Sequence, residues 1–154
     1  MRFTYQALKV DERLPQAILF ACTMNAIRSP MAENLFKLRF GKVAYVDSCG
    51  LKAGQLDPMA VVAMDDLGLD ISKHRPKSFD QLQDDNFDLI VTLSPEAHHR
   101  ALEYTRHLAL TVEYWPTFDP TLVEGSRDQR LEAFEQVRDQ LDRKIRERFK
   151  GYKV

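Results

Sequence analysis

Ala17-Ile18-Leu19-Phe20-Ala21-Cys22-Thr23-Met24-Asn25-Ala26-Ile27-Arg28-Ser29-Pro30 is the stretch that decides the fold. The run Ala17 to Ala21 has no polar alternation, the pattern of a strand buried on both faces, as in a parallel sheet. It gives way to the polar segment Cys22 to Ser29. From Pro30 the spacing changes: Met31, Leu35 and Leu38 stand at i, i+4 and i+7, Pro30 suits a first helical turn, and Gly41 supplies a stop.

The same alternation continues outward. Val43 to Val46 reads as a second strand, and Asp57-Pro58 opens a helix through Met59, Val62, Met64 and Leu67 that closes at Gly68. Phe87 to Leu93 reads as a third strand and Leu110 to Trp115 as a fourth, followed by the turn Pro116 to Pro120. A long last helix carries Leu131, Phe134, Val137, Leu141, Ile145 and Phe149, with Ser126 and Gln129 as a capping box and Gly151 as its end. The pattern predicts an α/β three-layer sandwich: a four-stranded parallel sheet flanked by helices on both faces, with right-handed crossovers. In such sheets ligands bind outside the carboxyl ends of the strands, where Cys22–Ser29, Ser94–His99 and Pro116–Pro120 fall.

With 154 residues and 44% hydrophobic side chains, the chain has the length of one domain and the means to build a core. Residues 1–15 mix charged and apolar positions without a period and read as an N-terminal extension, or as a short added strand; residues 16–154 read as a single domain. The 22 Lys+Arg nearly balance the 23 Asp+Glu, which argues against nucleic acid as a partner. Ala17–Cys22 is too short to span a membrane and the N-terminus has no leader-like apolar run, so a cytoplasmic location is expected. Cys22 and Cys49 are then thiols to be judged separately.

A Cys, five residues, then Arg and Ser, set between a buried strand and a helix start, suits a loop wrapped around a tetrahedral oxyanion. Backbone N–H groups and the helix dipole favour the anion there, and the Arg28 guanidinium offers a planar fork for two of its oxygens. Such positive surroundings can bring a thiol from ~8.5 to about 3.5–7.5, which would make Cys22 a nucleophile, and a Ser29 hydroxyl donating to the sulfur favours the anion. The plainer alternative is a buried Cys22 with Arg28 in a surface ion pair.

The stretch Ile18 to Glu33 resembles the signature loop of the low-molecular-weight protein tyrosine phosphatases and the related arsenate reductases, and the resemblance runs from about Ala17 to Phe149. It implies a phosphate-binding loop after the first strand, with Thr23, Met24, Asn25, Ala26, Ile27 and Ser29 around the substrate's phosphoryl group. It further implies Cys22 as nucleophile, Arg28 as phosphate clamp, and Ser48 and His74 as supports of Asn25, which holds the loop in its strained shape. Oxyanions such as phosphate, arsenate and sulfate are the implied ligands, and no cofactor or metal is called for. Met24 stands where the family usually has Gly, which could distort the loop or crowd its entrance; Ile27 stands where many members have a second cysteine.

Transfer to a thiolate needs a proton for the leaving oxygen. Asp119, in Trp115-Pro-Thr-Phe-Asp119-Pro120, matches the family's Asp-Pro pair and is the expected general acid; without the resemblance it reads equally as the start of a turn. Thr121 follows where the phosphatases commonly place an aromatic, leaving Trp115 and Phe118 as candidate substrate walls, with a core role the alternative for Trp115. Val91–Ser94, Trp115–Pro120 and Gly125–Asp139 resemble the arsenate reductase branch more closely, yet Ser94 occupies the place of its first resolving cysteine. The expected function is a phosphomonoester, protein tyrosine, phosphatase acting on a phosphotyrosine protein or a small phosphomonoester through a phosphocysteine. The alternatives are an arsenate reductase using an external thiol and a catalytically weak phosphate-binding module. His98-His99 lies on no ligand-spaced cluster, and the basic run Arg143 to Lys150 reads as the solvated face of the last helix.

Overall fold

The computed structural model describes residues 14–83, 86–106, 108 and 110–152, so all but the end of the expected N-terminal extension lies outside the described residues. Four strands, β1 (Ala17–Cys22), β2 (Tyr45–Gly50), β3 (Leu89–Thr92) and β4 (Thr111–Tyr114), form one sheet in the order β2-β1-β3-β4. Every pairing is parallel. The strands alternate with α1 (Arg28–Phe40), α2 (Pro58–Asp65), α3 (Pro95–Tyr104) and α4 (Arg127–Arg148). This is the α/β sandwich that the alternation predicts.

β1 has a partner on each side, which is why its apolar run is unbroken. Ile18, Phe20 and Cys22 face a core built with α1, α2 and α4, whereas Leu19 and Ala21 face a smaller core with Cys49, Ile90 and the α3 residues Ala97 and Ala101. In the larger core Phe20 meets Phe36 edge-on at 6.0 Å and Phe36 meets Phe149 at 5.5 Å. Each such buried ring contributes about 1.5–3 kcal/mol, with roughly 0.5–1.5 more from the aromatic geometry. Among the described residues no helix is long and apolar enough to cross a membrane.

Several boundaries differ from the sequence reading, each for a physical reason. α1 begins at Arg28 rather than Pro30, because a proline costs nothing anywhere in a first turn whose N–H groups have no helical acceptor. Its buried side continues through Phe36 and Phe40, and Leu38 is exposed. β2 runs from Tyr45 to Gly50 instead of Val43 to Val46: Asp47 and Ser48 are polar strand residues whose side chains are fully engaged, so apolarity underestimates the strand. α2 ends at Asp65, so Leu67 lies beyond it and is exposed; within the helix Ala60, Ala63 and Met64 form the buried side and Val62 is exposed. α3 escapes the apolar pattern because its buried positions are two alanines. The capping box of Ser126 and Gln129 forms as expected, and Gly151 takes a φ of 97° after the helix.

Candidate active site

At the carboxyl end of β1 the chain turns through residues 23–27 into α1. The loop carbonyls are taken by the segment that follows β2: Leu51 N donates to Cys22 O at 3.1 Å, Lys52 N to Thr23 O at 3.0 Å and Gly54 N to Met24 O at 2.9 Å. None of the N–H groups of residues 23–27 donates to another backbone group among the described residues. This leaves them for a ligand on the concave side.

The turn is tight enough to force special residues. Asn25 has a φ of 54°, the one positive value among the described non-glycine residues, and such strain costs about 1–3 kcal/mol unless its surroundings hold it. They do: Asn25 Nδ2 donates to Ser29 Oγ at 2.8 Å and Ser48 Oγ at 2.9 Å, and Asn25 Oδ1 accepts from Lys77 N at 2.9 Å. His74 Nε2 lies 3.1 Å from Oδ1 and 3.2 Å from the Asn25 carbonyl, and facing two acceptors it must carry a proton. Gly50 completes the cradle, since a Cβ there would lie 2.7 Å from Asn25 N.

Met24 needs none of a glycine's freedom. Its φ is not positive, its side chain packs over Gly54, and at 42% exposure it lines the cleft mouth without unseating the loop.

Cys22 Sγ sits 2.9 Å from Ser29 Oγ, and both are buried. Arg28 donates from Nη1 to the Thr117 carbonyl at 3.0 Å, which aims the fork. Asp119 Oδ1 accepts from Thr121 N at 3.0 Å and from Thr121 Oγ1 at 2.7 Å. A cleft of about 610 Å³ gathers Cys22, Thr23, Met24, Ala26, Ile27, Arg28 and Asp119. Asn25, Ser29, Ser48 and His74 stand behind it as a hydrogen-bonded support.

Sequence reading missed Glu33. It accepts from Ser48 Oγ at 2.5 Å and its carboxylate is 3.9 Å from His74 Nδ1, extending the support from Cys22 to α1. The signal was an acid one turn after Ser29 on the helix side otherwise buried. Also unassigned were Gln55, Asp57 and Glu96 on the cleft wall.

Of the candidate aromatic walls, Trp115 is 6% exposed, packs edge-on against Phe20 at 6.0 Å and donates Nε1 to Glu113 at 3.0 Å, so its role is in the core. Phe118 is 52% exposed and outside the cleft lining. His98 bonds Thr92 Oγ1 at 2.8 Å and stacks on Tyr114, while Arg148, read from the sequence as solvated, is paired with Glu113 at 2.6 Å.

Burial lowers the pKa of the His74 ring against the hydrogen bond it donates to the Asn25 carbonyl, whereas burial raises the Glu33 carboxyl against the bond it accepts from Ser48. The folded protein therefore prefers neutral His74, whose contribution to stability is present above about pH 6.5 and lost as the pH falls through the lower folded value. Glu33 has the opposite sign, its contribution being lost as the pH rises through the raised value. Urea midpoints of the wild type are expected to fall more steeply than those of His74→Gln as the pH drops below 6.5. Parallel profiles would rule out a burial-held neutral ring.

The family model of the low molecular weight phosphotyrosine protein phosphatase matches residues 17–153. The chain is 35% identical over 130 residues to an arsenate reductase of Bacillus subtilis (strain 168), covering 84% of this chain and 92% of that protein. A solved YwlE mutant from Bacillus subtilis superimposes with a TM-score of 0.71 at 25% identity, over 85% of this chain and 94% of that one. An arsenate reductase solved in its phosphate binding state gives 0.66 at 27%, over 86% and 95%. With the loop, its support and these matches in agreement, the chain belongs to the low molecular weight phosphotyrosine protein phosphatase family.

Proposed function

We propose that the protein is a cysteine-dependent phosphomonoester phosphatase, with phosphotyrosine of proteins and small phosphomonoesters as its substrate class. One observation carries this: Cys22 Sγ, held 2.9 Å from a buried serine hydroxyl, shares a single cleft with Arg28 and Asp119.

The Cys22 thiolate attacks phosphorus in line, the S–P bond forming as the P–O bond to the leaving group breaks. Arg28 and the loop N–H groups hold the equatorial oxygens, whose charge is greatest in the transition state. Asp119, anchored through Oδ1 by Thr121, gives its proton to the departing oxygen. As a carboxylate it then takes a proton from the water that attacks phosphocysteine, which returns phosphate and the thiolate. Ser29 donates to the sulfur whenever it is anionic, easing its departure.

The experiment is phosphate release from p-nitrophenyl phosphate and from a phosphotyrosyl peptide by wild type and Cys22→Ser. Asp119→Asn is expected to lower kcat about 10²–10⁴-fold on an alkyl phosphate, whose leaving group needs the proton, and far less on p-nitrophenyl phosphate. An equal loss on both substrates would count against the acid role.

The name of the Bacillus subtilis relative favours a second reading, arsenate reduction. The chain's only other cysteine, Cys49, pairs in register with Ala21 and so faces the opposite core from Cys22. Reduction would therefore draw on an external thiol such as glutathione. Arsenite formed from arsenate only when thiol is added, with no phosphate release in the first assay, would favour this reading.

A further inference from the structure

Beside the catalytic cleft lies a second one of about 430 Å³, between α2, the turn at Pro120 and the start of α4. We propose that it receives the polypeptide flanking the phosphorylated residue, and that it takes an apolar side chain together with an acidic one. The inference rests on the phosphatase reading and narrows its substrate to a protein.

Its floor is apolar: Met59, Val62, Pro120 and Phe134 line it, and Val62 is 40% exposed. Such a surface is a place for an aliphatic side chain. Arg127 and Arg130 stand at its edge, both exposed and neither in an ion pair or side-chain hydrogen bond with any described residue. The lone carboxylate in the lining, Asp57, is occupied as the cap of α2, accepting from Met59 N at 2.8 Å.

The two clefts meet at Asp57 and Thr121, which line both. A ligand that fills both must run on from the phosphorylated group over that saddle, as a polypeptide does. Charge fixes its character. Asp57 is common to both clefts; beyond it the catalytic mouth carries Glu96 and Asp119 with Arg28, whereas the second cleft carries Arg127 and Arg130 with no further acid, so an acidic neighbour of the phosphorylated residue is attracted toward those two arginines.

The test uses Cys22→Ser protein and fluorescent phosphotyrosyl peptides, one with Leu and Asp on both sides of the phosphotyrosine and one with Gly and Ser in their place. Fluorescence anisotropy is expected to give about 10-fold tighter binding for the first, weakening between roughly 50 and 200 mM salt. Arg127→Glu with Arg130→Glu should remove the salt-dependent part of that preference, and Val62→Asp the apolar part, leaving the Gly/Ser peptide unchanged. In the Cys22 background the same variants should hydrolyse p-nitrophenyl phosphate at the wild-type rate.

Equal affinity for the two peptides, no phosphopeptide binding, or a preference untouched by the arginine reversals overturns the proposal. Hydrolysis of p-nitrophenyl phosphate by the wild type judges the phosphatase reading separately. If it is hydrolysed while the peptides bind equally, the groove alone is wrong. A preference whose salt-dependent part is lost in the arginine reversals, without hydrolysis, keeps the groove and removes the catalytic reading.

Discussion

Cys22→Ser is expected to abolish phosphate release, by roughly 10⁴-fold or more, while phosphate still binds the loop. The asymmetry follows from the site's construction. The oxyanion is to be held by Arg28 and by N–H groups of residues 23–27, and the loop's shape is set by Asn25, Ser48, His74 and Gly50, none of which the substitution touches. A serine hydroxyl fits beside Ser29, but at neutral pH it supplies almost no anion to attack phosphorus. Isothermal titration with phosphate and a p-nitrophenyl phosphate assay check the two halves independently. Residual hydrolysis above roughly one per cent would mean that water attacks directly and that the thiolate is not the nucleophile.

Arg28→Lys is expected to cost about 10²–10³-fold in kcat/KM although the charge is kept. Arg28 spends Nη1 on the Thr117 carbonyl at 3.0 Å, and that bond orients the rest of its planar fork toward the cleft. An ammonium group at the end of a flexible stem cannot bond Thr117 and span two equatorial oxygens. The loss should fall mainly on kcat, because the fork matches the spread-out oxygens of the transition state better than those of the bound ester. Near-normal kcat/KM in the lysine variant would reduce Arg28 to a simple counter-charge.

The parts of the site that lie close together along the chain were legible in the sequence. Cys22, Arg28 and Ser29 sit on one loop whose flanking strand and helix announce themselves by apolar spacing, and the sheet follows from the alternation around them. Contacts made across the fold were not. Glu33 carries a charge that pattern reading sends to the surface, and Gly50 matters only because Asn25 comes within 2.7 Å of where its Cβ would be. β2 was misplaced for the same reason: its polar half is polar because it supports the loop, through Ser48 to Asn25 and Asp47 to Lys77. His74 came from resemblance alone, since nothing in the local pattern announces its contact with Asn25, 49 positions away. For Trp115 the structure decides between the two roles the sequence left open, since a ring next to the cleft residues in sequence is buried against Phe20 in the core.

The placement of the two cysteines on opposite faces of the sheet also governs how the protein ages in an oxidising environment. A peroxide that converts Cys22 to a sulfenic acid creates a group that other enzymes rescue by condensation with a neighbouring thiol. Here Ile27 fills the nearby loop position, and Cys49 is walled off with its thiol kept protonated by burial. Recovery then depends on small thiols from solution reaching the cleft before a second peroxide drives the sulfur to the sulfinic state.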